Sequence, residues 1–169
     1  MILQKKVCLI GAFAVGKTSL VRRFVHSIFD DKYLTTIGVK IEQCSVALPG
    51  EPKVNLVVWD LAGEDRFHQL AMNYVRGAAG YILVADGTRG ETLDHALDLH
   101  QRVQEAHGRL PHVLVVNKAD LKAQWEVESG VLDHLQATGH QLRETSALDG
   151  SGVAAAFHDL TRELLDDEG

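Results

Sequence analysis

The feature of this 169-residue sequence that most constrains its fold is a phosphate-loop motif near the N-terminus. Residues 11–18 read GAFAVGKT and match the pattern G-x-x-x-x-G-K-[ST]. The apolar run 7–10 precedes the motif, and residues 17–26 follow it with the apolar spacing of a helix. A loop between a strand and a helix is the setting in which backbone N–H groups bind phosphate oxygens. The sequence therefore predicts a phosphate site on an α/β fold.

The loop residues have distinct expected roles. The helix N-terminus contributes about half a positive charge toward bound phosphates. Lys17 is expected to reach the β- and γ-phosphates, and the Thr18 hydroxyl is expected to bind Mg²⁺. A phosphate loop does not by itself distinguish ATP from GTP. The nucleotide-binding candidates in this segment are Phe13, Ala14, Val15, Gly16, Lys17, Thr18 and Ser19.

Strand-like and helix-like segments alternate along the rest of the chain. Strands are predicted at 7–10, 39–48, 54–59, 81–85 and 113–116, with a sixth candidate at 141–144, and helices at 17–26, around 93–103 and around 153–164. The turn residues 49–52, Pro-Gly-Glu-Pro, predict a hairpin between the second and third strands. The alternation predicts one domain, residues 1–169, with a mainly parallel sheet, an antiparallel edge strand, and helices on both faces.

Charge and composition exclude several classes of function. The net charge of −6 disfavours nucleic acid and anionic lipid as partners. Cys8 and Cys44 lie in strand-like runs without metal-type spacing, which indicates two small buried residues in a reduced, cytoplasmic protein. The nine histidines show no paired metal spacing, so they are expected to be surface or partly packed residues. No apolar run approaches the roughly 20 residues of a membrane span.

A second motif indicates which base is bound. Residues 117–120 follow a predicted strand and match N-K-x-D. The Asp120 carboxylate can accept the N1–H and N2–H₂ donors of guanine, whereas adenine presents a mismatch that costs on the order of 1–3 kcal/mol. The Asn117 amide is expected to bond the base and join this loop to the phosphate loop. The stem of Lys118 is expected to cover one face of the base.

In their order along the chain, these motifs resemble those of the Ras/Rab small GTPases. The similarity extends from about Lys5 to Leu165, and the segment 74–78, Tyr-Val-Arg-Gly-Ala, is more similar to Rab than to Ras. The resemblance implies a six-stranded sheet with five helices and a GTP/GDP switch that hydrolyses GTP slowly with Mg²⁺. It also implies effectors and regulators, an exchange factor and an activating protein, which bind through switch segments at about 30–38 and 60–77. The motifs that carry it are 11–18, 36–38 (Thr-Ile-Gly), 60–63 (Asp-Leu-Ala-Gly), 117–120 and 145–147 (Thr-Ser-Ala).

The resemblance assigns further site residues by position. Phe29 matches the aromatic that stacks on guanine, and Tyr33 the tyrosine that covers the phosphates. Thr36 matches a Mg²⁺ ligand that depends on the γ-phosphate, Asp60 a residue that holds Mg²⁺ through water, and Gly63 a backbone donor to the γ-phosphate. The metal set is therefore Thr18, Thr36 and Asp60. The base-binding set is completed by Ser146, Ala147, whose N–H is expected to bond the guanine O6, and Leu148, where the family usually has lysine.

Three departures from the family bear on hydrolysis and location. Glu64 replaces the glutamine that orients the attacking water, so the catalytic set is Glu64, Lys17 and Gly63. Glu64 can be displaced, bind a proton or act as a base, and the sequence leaves these alternatives open. Phe13 stands where Gly or Ser is usual, and its ring is expected to crowd the route of an inserted arginine. The acidic C-terminus has no cysteine for a lipid anchor, which fits either a removed tail or a divergent, prokaryotic relative.

Three classes of function remain after these observations. The first is a GTP-hydrolysing switch, supported by the intact motifs. The second is a GTP-binding interaction module with little hydrolysis, favoured by Glu64 and Phe13. The third, an ATP-dependent enzyme, is disfavoured by Asp120 and Ala147. The segment 66–77, with Phe67, Leu70, Tyr74 and Val75, fits either an effector surface or ordinary helix packing.

Overall fold

The fold is built on one six-stranded sheet. The computed structural model describes residues 2–26, 39–61 and 68–168, with the side chains of 68–71 and 168 not described. The strands are β1 (Ile2–Gly11), β2 (Val39–Val46), β3 (Lys53–Leu61), β4 (Gly80–Asp86), β5 (His112–Asn117) and β6 (Leu142–Thr145). The α-helices are α1 (Lys17–His26), α2 (His68–Val75), α3 (Gly90–His107), α4 (Ser129–Ala137) and α5 (Val153–Glu168), with a 3₁₀ helix at Ala119–Gln124.

The sheet topology confirms the predicted fold class. The strand order is β2-β3-β1-β4-β5-β6, and β2 is an edge strand antiparallel to β3. All other neighbouring pairs are parallel. The carboxyl ends of β1, β3, β4, β5 and β6 therefore meet at one edge of the sheet, which is where ligands bind in folds of this type.

The central strands are buried on both faces, as their continuous apolar runs predict. Every residue of β4 is buried. Along β1, Val7 and Leu9 face one core, while Cys8 and Ile10 face the other, which is the period of two that a strand requires. Helices α1 and α5 cover the first core, where the Phe24 ring of α1 stacks on the Phe157 ring of α5 with centroids 4.1 Å apart. Helices α2, α3 and α4 cover the second core.

Differences from the sequence prediction lie mainly at the ends of elements. Strand β1 begins at Ile2 rather than at residue 7, because its first half, in which Gln4-Lys5-Lys6 interrupts the apolar run, pairs with β3 from Lys53 onward. Helix α4 was not located by the apolar pattern. Cys8 is buried, whereas Cys44 is only half-buried, and both are free thiols. In the described part of the chain, no helix is long and apolar enough to cross a membrane.

Candidate nucleotide site

The phosphate-loop segment turns tightly between β1 and α1. Ala14 has a φ of 61° and Gly16 a φ of 105°, so the loop reverses through conformations that side chains rarely adopt. A Cβ on Gly16 would lie 2.3 Å from the Asn117 Nδ2, which makes glycine necessary there. The helix begins directly afterwards, because the Leu20 N–H donates to the Gly16 carbonyl at 2.9 Å. Val15 is fully buried and anchors the loop to the core.

Lys17 is the buried cation of this site. Only 6% of the residue is exposed, and its Nζ donates to the carbonyls of Gly11 at 3.2 Å and Ala12 at 3.0 Å. Burial lowers the pKa of Lys17 to about 8, an effect that the charge of Asp60 opposes and that of Arg89 increases. An anion next to the lysine would stabilise its charged form. The electrostatics of this position therefore suit a negatively charged ligand.

Two oxygen donors lie beside the loop. The Thr18 hydroxyl, at the start of α1, donates to the Asp60 Oδ2 at 2.5 Å. Asp60 is near the end of β3 and is 1% exposed. A hydroxyl and a carboxylate oxygen are the hard ligands that Mg²⁺ prefers, and Mg²⁺ keeps several waters in addition to one or two such ligands. The donor set of Thr18 and Asp60 thus fits the predicted metal.

A row of polar residues crosses the last three strands where they end. The register places Asp86 beside Asn117, and Asn117 beside Thr145. The Asn117 Nδ2 donates to the Val15 carbonyl at 3.0 Å, and its Oδ1 accepts from the Thr145 hydroxyl at 3.0 Å. The amide of Asn117 therefore joins the phosphate loop to β6, and all these groups are buried.

Asp86 is a site residue that the sequence reading did not single out. Its carboxylate is 1% exposed and lies 2.8 Å from the Lys118 Nζ. It also accepts from the Thr88 hydroxyl at 2.7 Å and pairs with the Arg89 Nε at 3.1 Å. Burial alone would raise the pKa of Asp86, but these hydrogen bonds, above all that from Lys118, lower it below the ordinary value. In the sequence, Asp86 is recognisable as a carboxylate that directly follows the apolar run 81–85.

Lys118 is held in a left-handed conformation at the turn after β5. Its φ is 73°, and Lys118 and Ala14 are the non-glycine residues with positive φ in the described segments. Its Nζ also approaches the Ala14 carbonyl at 3.4 Å, and its own carbonyl accepts from the Trp125 Nε1 at 2.8 Å. Strained backbone of this kind is concentrated at binding sites. This backbone conformation directs the Lys118 side chain toward the phosphate loop.

The predicted base-reading residues lie together at the far end of the site. Asp120 is exposed, and one of its oxygens accepts from the Ser146 hydroxyl at 2.8 Å. Ala147 is almost fully buried, whereas Leu148 is 50% exposed. The guanidinium of Arg23 donates to the Leu148 carbonyl at 3.5 Å, which ties this loop to α1. One Asp120 oxygen and the Leu148 side chain thus face outward.

Phe13 and Arg89 form the outer rim of the phosphate loop. Phe13 is 42% exposed, although the residue is apolar. Its carbonyl accepts from the Arg89 Nη2 at 2.9 Å, while the Nε of the same arginine pairs with Asp86. The sequence reading did not identify Arg89, whose position beside the loop depends on the β4–α3 turn.

The remaining predicted residues divide into two groups. In the segment 66–77, Val75 is buried in the core, as helix packing requires, and the half-buried Tyr74 packs against Trp59 with ring centroids 5.7 Å apart. Ser19, in the first turn of α1, is half-buried. The side chain of Leu70 is not described, and the other candidates lie outside the described residues, namely Phe29, Tyr33, Thr36, Gly63, Glu64 and Phe67.

Together, four features define a P-loop nucleotide-binding fold of the GTPase type. They are the mainly parallel sheet, the glycine-dependent loop after β1, the buried Lys17 of that loop, and the polar row at the strand ends. Comparison with known proteins agrees with this class. The family model described as "Ras family" matches residues 6–166.

Curated relatives extend the match over nearly the whole chain. Ras-related protein Rab-13 of Bos taurus is 37% identical over 163 residues, which cover 95% of this chain and 79% of the relative. Ras-related protein RABA5a of Arabidopsis thaliana is 37% identical over 162 residues, covering 94% and 72%. Ras-related protein Rab-4 of Dictyostelium discoideum is also 37% identical over 162 residues, covering 95% and 78%. The chain belongs to the Ras family and is Rab-like, and as such it is a GTP-binding protein of the switch type.

Proposed function

We propose that the chain is a Mg²⁺-dependent GTP/GDP switch that hydrolyses GTP slowly and signals through segments at about 30–38 and 60–77. The observation that supports this best is the buried Lys17, whose Nζ lies against the phosphate-loop carbonyls of Gly11 and Ala12. Burial lowers its pKa to about 8, and a neighbouring anion would stabilise its charged form. Thr18 and Asp60 next to it supply oxygen ligands for Mg²⁺. These two residues would hold Mg²⁺, which would supply positive charge to offset that of the phosphates.

The base specificity of the proposed site rests on Asp120 and Ala147. The Asp120 carboxylate would accept two hydrogen bonds from guanine, and its contact with Ser146 fixes its orientation. The Ala147 N–H would bond the guanine O6, which adenine cannot match. The Lys118 stem would cover one face of the base, and Leu148 would lie where a family lysine usually does the same.

Hydrolysis would depend on residues from two segments. Lys17 would neutralise the β- and γ-phosphates, and the Gly63 N–H would bond the γ-phosphate. Glu64 would position the attacking water or remove its proton. A carboxylate 4 Å from a phosphate charge is repelled by about 4 kcal/mol at an effective dielectric constant of about 20. This repulsion is the physical reason to expect slow turnover.

The phosphate-loop rim favours a second candidate, a GTP-binding interaction module. Phe13 belongs to the phosphate loop and is exposed, and its ring would crowd the route of an inserted arginine. Glu64 adds a second obstacle. In this alternative, the chain holds GTP or GDP, hydrolyses GTP poorly and serves as a constitutive interaction surface. A Phe13→Gly variant that an activating protein stimulates no more than the wild type would contradict the obstruction.

Single-turnover GTP hydrolysis with Mg²⁺ separates the two candidates. The wild type is compared with Glu64→Gln, Glu64→Ala and a control, Glu51→Gln, in the exposed turn between β2 and β3 at the opposite end of β3. For the switch, we expect slow wild-type turnover, loss of most activity in Glu64→Ala and no change in the control. Nucleotide binding without hydrolysis in every form would instead establish the interaction module.

A further inference from the structure

Three histidines from separate parts of the chain converge at the edge of the sheet opposite the nucleotide site. His100 lies within α3, His112 begins β5, and His140 precedes β6. Each offers a ring nitrogen, and these nitrogens all lie within 4.8 Å of one another. The His112 Nε2 and the His140 Nδ1 lie 3.2 Å apart and share a hydrogen bond in the metal-free chain. This cluster could not be predicted from the sequence, because its members are not spaced as a metal motif.

Neighbouring groups fix the orientation of two of these rings. The Tyr81 hydroxyl lies 2.7 Å from the His100 Nδ1, which leaves the Nε2 of that ring available. The Tyr81 ring stacks on His112, with centroids 5.4 Å apart. The backbone of Leu110 forms a hydrogen bond with His112 as well. Hydrogen bonds to the second nitrogen of a histidine are the usual means of orienting it toward a metal.

The rings are also in the chemical form that a metal needs. Burial lowers the pKa of His100 to about 4, and the other two rings add to the effect. Burial likewise lowers the pKa of His112 and that of His140. All three imidazoles are therefore neutral at pH 7, so each ring keeps one N–H and has one nitrogen lone pair that can bind a metal. Within the described segments, no carboxylate forms an ion pair with these three histidines, so ion pairing does not explain why they lie together.

The cluster opens into a cleft with acidic walls. Its volume is about 710 Å³, and its lining includes the three histidines together with Glu163, Asp166 and Asp167 of α5. Arg109 is the one basic residue among the described lining positions. The excess of carboxylates favours a cation, and the opening leaves room for a water or a further ligand beside the imidazoles.

We propose that His100, His112 and His140 bind a divalent transition-metal ion of the Zn²⁺ type, at a site separate from the Mg²⁺ site. Two nitrogens bound tetrahedrally to Zn²⁺ at about 2.0–2.1 Å lie roughly 3.3 Å apart, close to the 3.2 Å between His112 and His140. The ligand nitrogen of His100 lies within 4.8 Å of both. Three imidazoles select transition ions over Mg²⁺, which prefers oxygen.

Bound metal would join α3 to the starts of β5 and β6. Metal binding adds to the stability of the folded chain, because the three ligands converge only after folding. The alternative is a purely structural cluster of stacked rings held by Tyr81, and the two readings differ in whether the free protein takes up metal.

The test is a titration of the full chain with Zn²⁺ after removal of transition metals by a chelator, in the presence of GDP and excess Mg²⁺. GDP and Mg²⁺ keep the nucleotide site occupied, so that Zn²⁺ uptake reports on the histidines. We expect one equivalent to bind, with Co²⁺ giving the visible ligand-field bands of a nitrogen-ligated tetrahedral site. His100→Gln and His140→Gln are the ligand variants, and His134→Gln, exposed on α4, is the matched control.

Each ligand variant should weaken Zn²⁺ binding by about 100-fold or more, and Tyr81→Phe by about 10-fold through loss of the hydroxyl that orients His100. His134→Gln should bind as the wild type does. Retention of GDP in each variant establishes that it is folded. The proposal is overturned if the wild type takes up no Zn²⁺ under these conditions, or if folded His100→Gln and His140→Gln bind it as tightly as His134→Gln.

Discussion

The buried hydroxyl of Thr145 allows a direct test of the polar row that joins the strand ends. Thr145 is fully buried, and its hydroxyl donates to the Asn117 Oδ1 at 3.0 Å. Asn117 is itself only 3% exposed and uses its Nδ2 on the Val15 carbonyl. Thr145→Val keeps the size and branching of the side chain and suits a strand. The substitution therefore removes one donor and leaves the Asn117 oxygen buried without it.

The expected cost follows from that missing partner. A buried acceptor deprived of its hydrogen bond costs about 1–3 kcal/mol, so the free energy of unfolding should fall by that amount. Because 1.4 kcal/mol is a factor of ten in an equilibrium constant, the change is large in a denaturation experiment. Urea unfolding without nucleotide, followed by the fluorescence of Trp59 and Trp125, measures it without a contribution from ligand binding.

Thr161 provides the matched control in the same protein. It is also fully buried, and its hydroxyl donates to the Phe157 carbonyl at 2.8 Å. That carbonyl is one turn earlier in α5, so it also receives the helical N–H of residue 161 and stays paired in Thr161→Val. The control should lose no more than about 0.5 kcal/mol. Equal losses in the two variants would refute the assignment of the Thr145 cost to an orphaned acceptor.

Two further predictions concern the phosphate loop and the buried carboxylate. Gly16→Ala should lower the free energy of unfolding by about 2–4 kcal/mol, since its Cβ would meet the Asn117 amide at 2.3 Å and its φ is positive. Gly77→Ala, with positive φ but open space, should lose about 1 kcal/mol, and equal losses in urea would contradict the clash. The lowered pKa of Asp86 should stabilise the fold above its ordinary value of 3.8, and this contribution should be lost as the pH falls through the folded pKa. Urea unfolding from pH 7 to pH 3 should show a shallower acid loss in Asp86→Asn, and an unchanged slope would refute the role of the carboxylate.

The sequence alone determined the features that depend on short segments of backbone. The loop from Gly11 to Thr18 needs glycine at a fixed position and a helix directly after it, and both requirements are visible in eight residues. The buried strands were predicted well because a continuous apolar run suits a strand covered on both faces. Their ends were predicted less well, as in β1, because pairing with β3 extends a strand into polar residues that carry no apolar signal.

The tertiary structure decided which distant residues share a site. Asp86 supports Lys118, and Arg89 reaches the Phe13 carbonyl, only because β4 and β5 end side by side next to the phosphate loop. The convergence of His100, His112 and His140 has the same cause at the opposite edge. The order of apolar and polar residues along a segment indicates which of its faces is exposed to solvent and which contacts it makes with residues nearby in the sequence. The register between parallel strands, which is set by the packing of the whole sheet, fixes which of their ends come together.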